Sequence, residues 1–85
     1  MAYAVEFAPA AEREFRKLAR EIQLRLRPRI DALADDPRPA GVKKLKGRVD
    51  LWRIRAGDYR IVYEIRDRIL VVLVVRVAHR RDVYR

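Results

Sequence analysis

Residues 49–65 read VDLWRIRAGDYRIVYEI, and this stretch decides the fold. Its side chains alternate with period two on both sides of Ala56-Gly57-Asp58, the pattern of two antiparallel strands joined by a tight turn. Trp52 and Ile54 share one face of the first strand, with Arg53 and Arg55 on the other. Tyr59, Ile61, Tyr63 and Ile65 share one face of the second, with Arg60, Val62 and Glu64 opposite. Gly57 is free to take the positive φ that a short hairpin loop requires.

Working outward, Arg66-Asp67-Arg68 turns the chain again, and residues 69–78 are apolar on both faces except for Arg76, as a central strand should be. Arg80 follows the parity of Arg76, and the chain closes on His79-Arg80-Arg81-Asp82-Val83-Tyr84-Arg85. On the other side of the hairpin, residues 38–48 read as a polar connecting loop carrying Lys43, Lys44, Lys46 and Arg48. Earlier still, residues 3–7 alternate as a first strand, and Pro9 suits the first turn of a helix. Ala11, Phe15, Leu18 and Ile22 form one helical stripe, with Glu12, Arg13, Glu14, Arg16 and Lys17 facing water. A second stripe runs through Ile22, Leu26, Ile30 and Leu33 and ends before Asp35-Asp36-Pro37. Pro28 interrupts it and predicts a kink, or a helix that becomes regular only around Pro28, because proline removes a bond to the Leu24 carbonyl. The expected fold is therefore α+β in the order β-α-α-β-β-β. An N-terminal strand and a two-helix hairpin pack on one face of a twisted antiparallel sheet, in a single domain over residues 1–85.

Charge is distributed unevenly along this frame. Residues 1–40 hold eight Lys/Arg against seven Asp/Glu, whereas residues 41–85 hold thirteen against five, a balance of +8. Nearly all of the excess lies in the sheet, and its arginines Arg53, Arg55, Arg60, Arg76 and Arg80 share one parity. Such a density of like charge disfavours the compact state and is relieved by a bound polyanion or an acidic partner. Chemistry is bounded as sharply by what the chain lacks. It has no cysteine and a single histidine, which rules out thiolate sites, disulfides and an imidazole-built zinc site, so no metal or cofactor is expected. The composition fits a reducing cytoplasm. With no serine or threonine, the usual oxygen nucleophiles are missing too. Residues 69–75 make the longest apolar stretch, far short of a membrane span.

Arginine, lysine, tyrosine and one histidine suit a reaction in which the substrate brings its own nucleophile. In RNA cleavage the ribose 2′-hydroxyl attacks, and the protein has only to orient the phosphate, stabilise its charge and move protons. Arginine grips phosphate with a planar fork but does not deprotonate, so proton transfer falls to Tyr84, His79, a lysine or solvent. Trp52, Tyr59 and Tyr63 share parity with the aliphatic face and are expected in the core.

The residues LKG at 45–47, WRIRAGDYRIVY at 52–63 and VAHRRDVY at 77–84 resemble, in this order and spacing, the RelE branch of the RelE/ParE toxin superfamily. The opening strand and helical hairpin are also similar, so the likeness spans nearly the whole chain. The resemblance implies a toxin of a type II toxin–antitoxin system, a metal-independent endoribonuclease (mRNA interferase) that cuts mRNA in the ribosomal A site and so inhibits translation. The family's catalytic positions fall on Arg53, Arg55, Arg60, Arg80 and Tyr84. The second-strand positions are often lysines in the family and are arginines here, which casts Arg55 as a phosphate clamp and Tyr84 as the base. Such a base needs its phenol held below its usual pKa of ~10, which neighbouring arginines favour. His79 is the alternative proton carrier, although parity points it away from Arg80. Lys43, Lys44, Lys46, Arg48, Arg76 and Arg81 are expected to contact RNA. The implied partners are an acidic antitoxin in a heteromeric complex, the small ribosomal subunit and mRNA, with no membrane. The competing expectations are a ParE-like DNA gyrase inhibitor without nuclease activity and a catalytically weak RNA-binding relic.

Overall fold

The computed structural model describes residues 2–45, 51–79 and 81. Along the chain come β1 (Ala4–Phe7), α1 (Pro9–Arg16), α2 (Arg20–Asp31), a 3-10 turn (Ala32–Ala34), β2 (Lys43–Lys44), β3 (Leu51–Ala56), β4 (Tyr59–Arg66) and β5 (Val71–His79). The strands form one sheet in the order β1-β5-β4-β3-β2.

Helix α1 starts at Pro9, whose fixed φ suits the first turn, and carries Glu12 in that turn and Arg13 and Arg16 in its last, all favourable to the helix dipole. Helix α2 runs from Arg20 to Asp31 with Pro28 inside it, so it is regular two turns before the proline. Leu24 and Pro28 lie four residues apart on one face, and Leu24 is 62% exposed. Water can therefore take the carbonyl that proline leaves unpaired. The helices bury Ala11, Leu26, Ile30 and Leu33 against Ile54, Ile61, Tyr63, Ile65, Val72, Val74 and Val77 of the sheet. Tyr63 is fully buried, and its hydroxyl donates to the Pro37 carbonyl at 2.7 Å. Trp52 and Tyr59 pack against the same core, in keeping with their parity.

The α+β class and the helix-covered face stand as the sequence reading has them, while the sheet differs in three respects. It is mixed, because β1 runs parallel to β5 in the register Ala4↔Val71 to Phe7↔Val74. It gains β2, which pairs antiparallel with β3 from within the expected loop. Third, β5 carries a bulge. Val62 faces Arg76 but Tyr63 faces Val74, which leaves Val75 as the extra residue. The bulge sets the parity of the last strand. Alternation from Val72 and Val74 would bring Arg76 to the core. The extra residue sends Val77 there instead and turns Arg76 to the open face.

Two anchors fix the ends of this frame. The Tyr3 hydroxyl donates to Asp67 Oδ1 at 2.6 Å, and Arg38 pairs with Asp67 Oδ2 at 3.0 Å. These bonds from Arg38 and Tyr3 hold the Asp67 carboxyl below the usual carboxylate range, and the bond to Asp67 raises the Tyr3 phenol. The Arg38 guanidinium also lies 5.1 Å from the centre of the Trp52 ring. The loop after α2 is thus tied to β1, β3 and the β4–β5 turn.

Candidate nucleic-acid interface

The open face is built by register. Across β3, β4 and β5, Arg53 faces Val62 and Val62 faces Arg76. In the next row Arg55 faces Arg60 and Arg60 faces Ala78. Directly opposed residues on neighbouring strands project to the same side of a sheet. Four arginines from three adjacent strands therefore converge on the side away from the helices.

They are not equivalent. Arg55 is exposed and Arg53 half-buried, but Arg60 is only 2% exposed. The alternation leads one to expect Arg60 at a solvent-facing surface, and the structure buries it. Central β4 is flanked on both sides, by β3 and β5. Burying a guanidinium costs stability unless other groups engage it. Arg53 and Arg60 are both engaged by other groups of the chain. Arg60 is enclosed by the fold, while Arg55 is open to solvent. The neighbouring carboxylate, Glu64, accepts from Arg66 at 3.0 Å.

Arg76 reaches the open face but is already paired, with its Nε 2.9 Å from Glu14 Oε2. The other oxygen of Glu14 accepts from the backbone N–H of Val77 at 2.8 Å. Glu14 was expected in water, yet it closes the edge of β5 beyond the end of β1. The helical pattern holds the signal, because Glu14 lies three residues after Ala11 and four before Leu18, inside the buried stripe.

The remaining candidates divide between the two faces. Lys43 faces Arg53 on the arginine side, whereas Lys44 pairs with Trp52 on the other and sets its ammonium 5.7 Å from the indole centre. The two lysines thus project to opposite sides of the sheet. His79 pairs with Tyr59 on the helix side, the rings meeting edge-on at 5.4 Å. Its Nδ1 accepts from the Arg81 N–H at 3.3 Å. His79 is thus separated from the arginines by the sheet, and Arg81 is exposed beside it. Arg80, Tyr84, Lys46 and Arg48 lie outside the described residues. The face can hold an anion and stabilise developing negative charge. Of the candidate proton carriers among the described residues, Lys43 stands on it and His79 does not.

Comparison with known proteins gives a consistent picture. The family described as ParE toxin of type II toxin–antitoxin system, parDE, matches residues 5–84. The mRNA interferase toxin RelE of Escherichia coli K12 is 34% identical over 82 residues, covering 94% of this chain and 85% of its own. Toxin RelG of Mycobacterium tuberculosis is 32% identical and covers 100% of this chain and 99% of its own. The toxin in the crystal structure of the intact E. coli RelBE toxin–antitoxin complex superposes with a TM-score of 0.79 at 33% identity, covering 92% of this chain and 96% of that one. An archaeal RelE–RelB complex from Pyrococcus horikoshii gives 0.81 at 28% identity, covering 94% and 97%.

Proposed function

Because this chain belongs to the RelE branch of the RelE/ParE toxin family, we propose that it is an mRNA interferase that cleaves mRNA in the ribosomal A site and is held inactive by an antitoxin. The observation that carries this reading is the pairing of Arg55 with Arg60, with Arg53 and Arg76 in the adjacent row, on the face opposite helices α1 and α2.

The chemistry follows from what arginine does. The 2′-hydroxyl of the substrate attacks the adjacent phosphorus, the P–O5′ bond breaks, and the products are a 2′,3′-cyclic phosphate and a free 5′-hydroxyl. Arg53 and Arg55 grip the non-bridging oxygens, and Arg60 supplies a fixed positive charge where negative charge grows in the transition state. Arg80, next after the last residue of β5, completes the clamp. Tyr84, as phenolate, takes the proton from the 2′-hydroxyl, and the leaving 5′-oxygen takes its proton from solvent. No metal is needed for these steps, since the charge stabilisation comes from guanidinium groups. The ribosome orders the substrate, which a shallow face without a deep pocket does not do alone. Lys43 and Arg81 add contacts to the RNA backbone.

An acidic antitoxin is the complement that this charge distribution favours. The solved relatives crystallised with RelB support such a partner here. No helix among the described residues is long and apolar enough to cross a membrane, and a ribosomal substrate places the toxin in the cytoplasm.

Primer extension on mRNA under translation tests the proposal. Stops at A-site codons are expected with the wild-type chain and should vanish in Arg55→Ala and Arg80→Ala. A second reading, DNA gyrase inhibition, is favoured by the ParE description of the matching family. Arrested supercoiling with intact mRNA would establish it in place of cleavage.

A further inference from the structure

The strand β2 is only two residues long and pairs with Arg53 and Trp52, so among the described residues no strand lies beside the outer edge of β3 from Ile54 onward. A groove of about 340 Å³ opens there, lined by Arg29, Ala40, Gly41, Lys43, Arg53, Ile54 and Arg55. Arg29 comes from the last turn of α2, Lys43 from β2, and Arg53 and Arg55 from β3. Three elements thus place four cations around one space and no carboxylate lines it. Arg29, Lys43 and Arg55 are exposed, and none of them forms an ion pair among the described residues.

We propose that this groove is a second phosphate subsite, holding a phosphodiester of RNA next to the cleavage face, with Arg29 and Lys43 as its own residues and Arg53 and Arg55 shared. The inference rests on the reading of the chain as an RNA-cleaving toxin and extends its RNA path around the sheet edge onto the helix layer. Size agrees with this ligand, because the groove has room for roughly ten waters, enough for a phosphodiester with its flanking ribose. Gly41 at φ +86° forms one wall, and a Cβ there would meet nothing within 4 Å, so the wall stays low and open to a chain passing through. An arginine in the last turn of a helix also serves the helix dipole. That role needs no groove and no companion cations from β2 and β3.

The test uses the full-length toxin freed from its antitoxin, with Arg29→Ala and, as a control that removes the same charge from the same helix, Arg25→Ala. Three quantities are read: KM for ribosome-bound mRNA, the salt dependence of binding to a single-stranded oligoribonucleotide, and the salt dependence of binding to ribosomes without mRNA. For Arg29→Ala the proposal expects KM to rise about fivefold to tenfold with the loss carried in KM and not in kcat. It also expects the slope of log K against log salt to flatten by about 0.7 to 1. Arg25→Ala should match the wild type, and Arg29→Lys should recover most of the slope. Flattening in the oligoribonucleotide arm assigns the phosphate to mRNA, and flattening in the ribosome arm alone assigns it to ribosomal RNA. Identical KM and slopes for Arg29→Ala, Arg25→Ala and wild type would overturn the subsite. So would an Arg29→Ala variant that binds RNA normally but loses affinity for an acidic antitoxin peptide. If the wild-type chain cuts nothing, the cleavage reading fails separately, and the slopes still decide the subsite.

Discussion

Strands β3, β4 and β5 present two faces with opposite chemistry from the same stretch of backbone, set apart only by residue parity. Toward the helices stand Ile54, Ile61, Tyr63, Val74 and Val77, none more than 3% exposed. Away from them stand Arg53, Arg55, Arg60 and Arg76, with charges that repel one another. The first face supplies the apolar burial that stabilises a small fold. The second draws on that stability to hold like charges together, as functional surfaces commonly do. Arg60 belongs to both, because it sits on the arginine side yet is as buried as the core.

Substitutions can break this comparison or sharpen it. Ile61→Ala removes a fully buried side chain from the middle of the core face, and a loss of about 2–5 kcal/mol in urea unfolding is expected. Any cleavage by the fraction that remains folded should keep its wild-type kcat. Arg60→Ala should act on both ledgers. Cleavage should fall by about 10²–10³, the usual cost of losing a preorganised charge at a developing anion. Stability should fall as well, because groups that engage the guanidinium lose their partner. By contrast, Arg55→Ala should lower cleavage while leaving unfolding within about 0.5 kcal/mol of the wild type, as expected at an exposed site. A substantial stability loss in Arg55→Ala would erase the distinction between the faces.

Glu14→Ala should cost about 1–3 kcal/mol, since it strands the Val77 N–H and leaves Arg76 without its carboxylate. Hydrogen exchange should quicken at Val77 first. The smallest effect concerns pH. The Asp67 carboxyl is held below its usual range, chiefly by Arg38 and then by Tyr3, so its contribution to stability is present above the unfolded carboxylate pKa of ~3.9 and fades as pH falls below it. Asp67→Asn should flatten the acid limb of the stability profile. The Tyr3 phenol is raised, so its contribution holds below pH ~10 and is lost above, a loss that Tyr3→Phe should remove.

The hairpin and both faces were legible because period-two alternation is a local property of the chain. The direction of β1 was not, because a four-residue strand reads identically parallel or antiparallel to its neighbour. Strand β2 was hidden for a related reason: two lysines in a polar loop carry no apolar alternation. Pro28 left open where the second helix becomes regular, because its cost depends on which side of the helix its missing bond faces. Arg60 was found by parity, but its burial depends on the neighbours of β4, which only the sheet order supplies. Glu14 lay within the helical stripe and was assigned to water by its charge alone.

The central claim is that the arginine face promotes 2′-hydroxyl attack, and the chemistry of the cut ends tests it most directly. Fragments of mRNA released by the toxin on translating ribosomes should carry 2′,3′-cyclic phosphate and 5′-hydroxyl ends, seen as resistance to 3′ ligation until the cyclic phosphate is opened and removed. Ends bearing 3′-hydroxyl and 5′-phosphate, or mRNA left intact at toxin levels that arrest growth, would contradict the account.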